Sequence, residues 1–166
     1  MRKLWECNDW SEYVSDGCRK GIRLRFEKGI DPEVKRASMK FVNWLRTQYE
    51  FPMRVPIYFK ASKTITAMDG EEVSATFFGP YDKTQEPYIR VSTGDYEDLL
   101  KKMDQNQDNA LAAILRSIAH ELSHYFQWLK DIDDFTDEKM DEKRERQALY
   151  YSREIIYDYA DVTDHP

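Results

Sequence analysis

The sequence predicts an α+β domain, a small twisted and mostly antiparallel sheet packed on helices that fill the C-terminal half. Three observations carry that expectation. Short runs of alternating or β-branched residues between positions 54 and 92 are punctuated by turn residues, as strands are. Long helical patterns occupy 32–49, 109–130 and 139–160. A chain of 166 residues, 41 % hydrophobic and 14 % aromatic, suits one substantial core rather than two. The expected organisation is a single domain over 1–166, with an N-terminal extension at 1–30, a core at 31–160 and a tail at 161–166.

Each element has a local reason. In RKGIRLRF (19–26), Ile22, Leu24 and Phe26 alternate with Arg23 and Arg25 as a half-buried strand would. Asp31-Pro32 caps and starts a helix that runs to about Tyr49, with Val34, Met39, Phe41, Val42 and Leu45 among its apolar members. RVPIYFKA (54–61) and TITAM (64–68) read as strands. Asp69-Gly70 turns the chain into EEVSATFFG (71–79), a hairpin signal. Residues 80–86 are a loop, PYIRVS (87–92) is the last strand, and a short helix covers about 95–103. From Asn109, NALAAILRSIAHELSHYFQWLKD continues as a helix that Asp108 or Asn109 can cap.

Charge and cysteine usage exclude several classes. Residues 1–64 hold 14 basic and 8 acidic side chains, whereas 65–166 hold 11 and 23. The basic strand face could meet nucleic acid, although a solvated face is the ordinary reading. The acidic run DIDDFTDEKMDEK (131–143) reads as an exposed loop. No apolar run reaches membrane-spanning length, and MRKLWECNDW lacks a signal peptide's apolar stretch, so the expected location is cytoplasmic. Cys7 and Cys18 are too few for a disulfide framework and form no CxxC, so two reduced thiols are expected.

The chemistry concentrates in His120-Glu121-Leu122-Ser123-His124. Residues i and i+4 of a helix lie on one face, so His120 and His124 can offer two imidazoles to one metal ion. Glu121 then falls beside the metal, where a carboxylate can take a proton from metal-bound water. The stripe of Leu111, Ile114, Leu115, Ile118, Leu122, Tyr125 and Leu129 faces the core. Ala113, Ser117, His120, Glu121, His124, Gln127 and Trp128 form a second face, whose small residues leave room for a neighbouring sheet.

A catalytic zinc usually takes a third protein ligand and leaves one position open. A third His six residues after the second, with Gly three after it, is one pattern, but Lys130 and Gln127 stand there. A Glu on a following helix is the other. In KMDEKRERQALYYSREIIYDYA (139–160) the expected inward stripe is Ala148, Leu149, Ser152, Ile155, Ile156 and Tyr159. Projected back one turn, it meets Glu145, with Glu142 one turn earlier and Glu154 facing away.

HELSH followed by a Glu some twenty residues on, in ERQALYYSREII, resembles the gluzincin branch of the zincin metallopeptidases. Within that branch it is most similar to small single-domain proteins of the ImmA/IrrE and SprT-like kind, which often occur on phages and other mobile elements. The resemblance is specific over 109–160 and weaker back to about residue 31. It implies a minimal zincin-like fold, Zn2+ held by His120, His124 and Glu145, and Glu121 as general base of a peptide-bond hydrolase. It also implies that PYIRVS is the sheet edge that pairs with an extended substrate, with Tyr88, Arg90 and Ser92 along one side. Some gluzincins place an Asp four residues after the ligand Glu, and this chain has Leu149 there, so a ligand His must be oriented otherwise. Tyr81, Tyr150, Tyr151, Arg153 and His165 are conceivable oxyanion donors. The rival reading is a zinc-binding regulatory or interaction domain with little peptidase activity. Neither reading specifies an oligomeric state.

Overall fold

The computed structural model describes Trp5 and residues 17–82, 84–130 and 141–166. Among these residues the order is β1 (Ile22–Phe26), α1 (Pro32–Gln48), β2 (Val55–Lys60), β3 (Ile65–Thr66), β4 (Glu72–Val73), β5 (Ala75–Phe78), β6 (Tyr88–Ser92), α2 (Tyr96–Lys102), α3 (Gln107–Lys130) and α4 (Asp141–Ala160). The architecture is mixed α and β, a four-stranded sheet with a separate two-stranded pair.

The sheet departs from the expected antiparallel character. Its order is β1-β2-β6-β5; β1 and β2 pair in parallel, as do β2 and β6, and only β5 and β6 are antiparallel. The reason is the crossover, since α1 carries the chain from the end of β1 back to the start of β2, which a tight hairpin cannot do. The hairpin expected at Asp69-Gly70 does form, but as the separate β3–β4 ribbon, closed by the Gly70 N–H on Ala67 O at 2.9 Å. Its Gly70 takes a φ of 89°, open to glycine without strain. Because β1 is hydrogen-bonded into the sheet, residues 22–26 belong to the core structure rather than to an extension.

One sheet face is buried. The register aligns Leu24 with Ile57 and Ile57 with Ile89, and Phe26 with Phe59 and Phe59 with Val91. On that face they meet Phe41, Val42 and Leu45 of α1 and Leu111, Leu115, Ile118 and Leu122 of α3, all buried. Met39, counted among the apolar members of α1, is exposed instead. The α1 start is as expected, with Asp31 Oδ1 accepting the Glu33 N–H at 2.8 Å. For α3 the cap is not Asp108 or Asn109, because Asn106 Oδ1 accepts the Asn109 N–H at 3.0 Å and the helix begins two residues earlier.

Three contacts fix α3 against the sheet, one at the entry of β2 and two just after β5. The Tyr125 hydroxyl donates to Met53 O at 2.6 Å and accepts the Met53 N–H, tying α3 to the entry of β2. The Trp128 indole N–H donates to Pro80 O at 3.1 Å. The same indole lies against the bare Cα of Gly79, where a Cβ would come within 2.5 Å of Trp128 Cδ1. No helix among the described residues is long and apolar enough to cross a membrane. Cys18 is a free thiol that donates to Pro52 O, while Cys7 and most of the acidic run, 131–140, lie outside the described residues.

Candidate metal centre

The i,i+4 spacing on α3 does what helix geometry requires and brings His120 Nε2 within 3.2 Å of His124 Nε2. Glu145 arrives from α4 and bridges the two rings with one carboxylate oxygen to each, Oε2 3.2 Å from His120 Nε2 and Oε1 3.0 Å from His124 Nε2. Among the described residues these three form the group able to hold a metal ion. The spacing fits zinc. A tetrahedral ion bonded to nitrogen and oxygen at about 2.0–2.1 Å separates its ligand atoms by about 3.3 Å, close to the distance between the two imidazole nitrogens and to that from each of them to its nearer Glu145 oxygen. Both rings are largely buried, whereas the Glu145 side chain is 57 % exposed, so the group opens towards solvent on the α4 side.

Glu142 is exposed on the first turn of α4 and does not belong to the group. Three residues correspond to a rotation of about 300° with a rise of about 4.5 Å, enough to carry a carboxylate away from the rings.

Electrostatics separate the two glutamates. Hydrogen bonds from His120 and His124 hold the Glu145 carboxyl far below the usual carboxylate range, against its partial burial. Burial pushes the Glu121 carboxyl up, and the neighbouring imidazoles offset only part of that. The Phe77 backbone N–H of β5 also bonds the Glu121 carboxylate, so the edge strand holds it in place. For His124, burial opposes the charged ring, but the Glu145 hydrogen bond and the charges of Glu121 and Glu145 raise its pKa overall.

With Leu149 four residues after Glu145, the residue that bonds the His124 ring from outside the group is Gln127. His124 Nδ1 lies 2.8 Å from Gln127 Oε1, while Gln127 Nε2 donates to Arg144 O at 3.0 Å and to Gln147 Oε1 at 2.8 Å. A backbone carbonyl only accepts, so the amide nitrogen must face Arg144 and the amide oxygen must face the ring. His124 Nδ1 is therefore the donor in that bond. Gln127 had been placed on the polar face of α3, but its bonds to a helix 17 to 20 residues away are invisible to helical periodicity.

The site sits in a cleft between α3, α4 and β5. One arm, a cavity of about 430 Å³, runs from His120 and Glu121 past Ser74, Ala75, Ala113, Ser117 and Ser152 to Arg116 and Leu149. The other, about 640 Å³, includes His124, Glu145, Thr76, Phe77, Glu71, Asp141 and Arg144. Leu149, expected in the inward stripe of α4, is 46 % exposed and borders the first arm instead.

The strand carrying Tyr88, Arg90 and Ser92 is not the edge. β6 is interior, and the edge beside the site is β5. The register places all three on the sheet face opposite Ile89 and Val91, away from α3. There the Arg90 guanidinium reaches Thr66 O, the Ser92 hydroxyl donates to Ser74 O, and Tyr88 stacks on Phe78. A wide sequence gap separates β2 from β6, and nothing local to PYIRVS specifies its neighbours.

The other proposed donors are also elsewhere. Tyr81 and Tyr150 are exposed, Tyr151 is buried against Trp5, Arg153 is exposed, and His165 pairs with Asp108 at 2.7 Å near the start of α3. None borders either arm, whereas Arg144 does. No family model, curated protein or solved structure matches the chain.

Proposed function

We propose that the chain is a zinc-dependent peptide hydrolase, with His120, His124 and Glu145 as ligands and Glu121 as general base. The observation that carries this reading is the convergence of the three ligand atoms beside a buried, proton-accepting carboxylate at the floor of an open cleft. Zinc bound there would act as a Lewis acid and lower the pKa of a coordinated water.

The chain's own residues supply the rest. Glu121, desolvated and held by the Phe77 N–H, accepts a proton from the attacking water and returns it to the leaving amine. Its raised pKa suits both steps, because a base that binds its proton weakly would be slow to accept and a stronger one slow to release. Gln127 keeps the His124 ring in place, and β5, the last strand of the sheet, offers the rest of its edge beside the Phe77–Glu121 bond to an extended chain. Arg144, in the wall beside Glu145, is the cation suited to a developing oxyanion. Among the described residues the group has three ligands, which weighs against a regulatory domain with a closed structural zinc, because such a site takes four protein ligands.

Two variants test the proposal. His120→Ala should abolish stoichiometric zinc binding, since two remaining ligands hold the ion poorly. Glu121→Gln should retain zinc yet lose about 100- to 10,000-fold in cleavage of any peptide the parent cuts. Full zinc occupancy in the first variant, or parental cleavage by the second, refutes the assignment.

A further inference from the structure

The two arms of the cleft differ in charge, and that difference specifies a substrate. The arm bordered by Glu71, Asp141 and Glu145 is acidic, and its one arginine, Arg144, lies 3.5 Å from Asp141. In the opposite arm the cation is Arg116, and among the described residues it makes no ion pair or hydrogen bond. Arg116 stands one helical turn before His120 on the same face of α3, about 6 Å along the axis. A guanidinium on that turn reaches a group bonded to a residue held at the metal. The arm around it is hollow because its walls are small: Ser74, Ala75, Ala113, Ser117 and Ser152. The Ser117 and Ser152 hydroxyls give their hydrogens to Ala113 O and Leu149 O, which leaves Arg116 as the charged donor available to a ligand, with the Ser74 hydroxyl beside it. Exposed Leu149 at the rim offers an apolar surface for a short aliphatic stem.

We infer that the Arg116 arm is a subsite for a carboxylate carried on the residue next to the cleaved bond, either an acidic side chain or the chain-terminal carboxylate. The guanidinium binds it through paired N–H donors, and Glu71 and Asp141 disfavour the same group in the opposite arm. This inference rests on the hydrolase reading above.

The test uses the zinc-loaded chain and a matched set of short peptide hydroxamates, with binding measured by calorimetry. The residue next to the zinc-binding group is Asp, Ala or Lys with the C-terminus amidated, or Ala with a free C-terminal carboxylate. One carboxylate probe should bind roughly tenfold tighter than the Ala amide, and the Lys probe weaker. A preference for the Asp amide assigns the side chain, and a preference for the free acid assigns the terminus. Arg116→Glu should reverse the order in favour of Lys, whereas Arg116→Lys should preserve it. Equal affinities across the set, or an order unchanged in Arg116→Glu, overturn the subsite and leave the hydrolase reading standing. Failure of every hydroxamate to bind overturns both.

Discussion

The amide oxygen of Gln127 accepts a hydrogen bond from His124 Nδ1 across 2.8 Å, and this fixes which nitrogen of that ring faces the metal position. With the proton on Nδ1, Nε2 presents its lone pair to the point shared with His120 and Glu145. The same amide is bonded to Arg144 O and Gln147 Oε1, the residue before Glu145 and the one two after it. One side chain therefore orients the His124 ring on α3 and holds the turn of α4 that carries Glu145.

Gln127→Ala should weaken zinc binding by about 10- to 100-fold, the usual consequence of removing a partner that orients a ligand. Gln127→Glu, which keeps an acceptor for Nδ1, should recover much of that loss. Competition with a chromophoric chelator measures both. Equal, large losses in the two variants would mean that Gln127 serves α3–α4 packing and not the orientation of His124.

Glu145→Gln should lower zinc affinity strongly, while Glu142→Gln should leave it near parental. Among the described residues, only Glu145 has carboxylate oxygens within 3.2 Å of both imidazoles. Glu142 occupies the first turn of α4, where a carboxylate favours the helix N-terminus and its loss costs a little stability rather than metal. Parallel zinc titrations of the two variants decide the matter, and a reversed order would exchange the assignments.

The candidate metal group was legible because one helical spacing encodes most of it. His120, Glu121 and His124 lie within five residues, and Glu145 lies one turn before an apolar stripe whose period is 3.6. Strand positions were legible for the same local reason, from alternation and from the Asp69-Gly70 turn. What the local pattern does not encode is which strands become neighbours. Val91 pairs with Phe59 on one side and Ala75 on the other, and the relation of β6 to β2 follows from the whole packing of α1 and α3 against the sheet. Arg90 was consequently read as facing substrate although it reaches the β3–β4 ribbon. The part played by Gln127 is not legible in the sequence because its bonds cross between helices.

In the metal-free protein, stability should fall as pH rises through neutrality. His124 has a raised folded pKa, so its contribution is fully present below its ordinary 6.5 and is lost as pH climbs through the raised value. Glu121, raised by burial, acts in the same sense, with its contribution present below its ordinary 4.5. Glu145 is depressed, so its contribution is present above 4.5 and lost only as pH drops through its lowered value. The His124–Glu145 pair therefore stabilises most between 4.5 and 6.5. Zinc requires the deprotonated ring, so the Tm increment produced by zinc should grow with pH over the range where the free protein weakens. Melting curves with zinc and with a chelator, taken from pH 5 to about pH 8.5, measure both trends. A zinc increment independent of pH would show that no ligand proton is displaced.

Gly79→Ala should destabilise the fold and, through it, the site. A Cβ at that position would lie 2.5 Å from Trp128 Cδ1 and 2.9 Å from the Phe77 ring. Neither neighbour can yield easily, because Trp128 is fully buried, is bonded to Pro80 O and meets Phe77 edge to face. Overpacking of this kind typically costs about 1–3 kcal/mol. The strain would fall on the end of β5, the strand whose Phe77 N–H holds Glu121. Zinc affinity should change less than stability, since all three ligands lie on α3 and α4, while any hydrolysis should fall with the displaced Glu121. Chemical denaturation and zinc titration of the same variant separate the two effects, and a parental denaturation midpoint would show that β5 shifts away from Trp128 without cost.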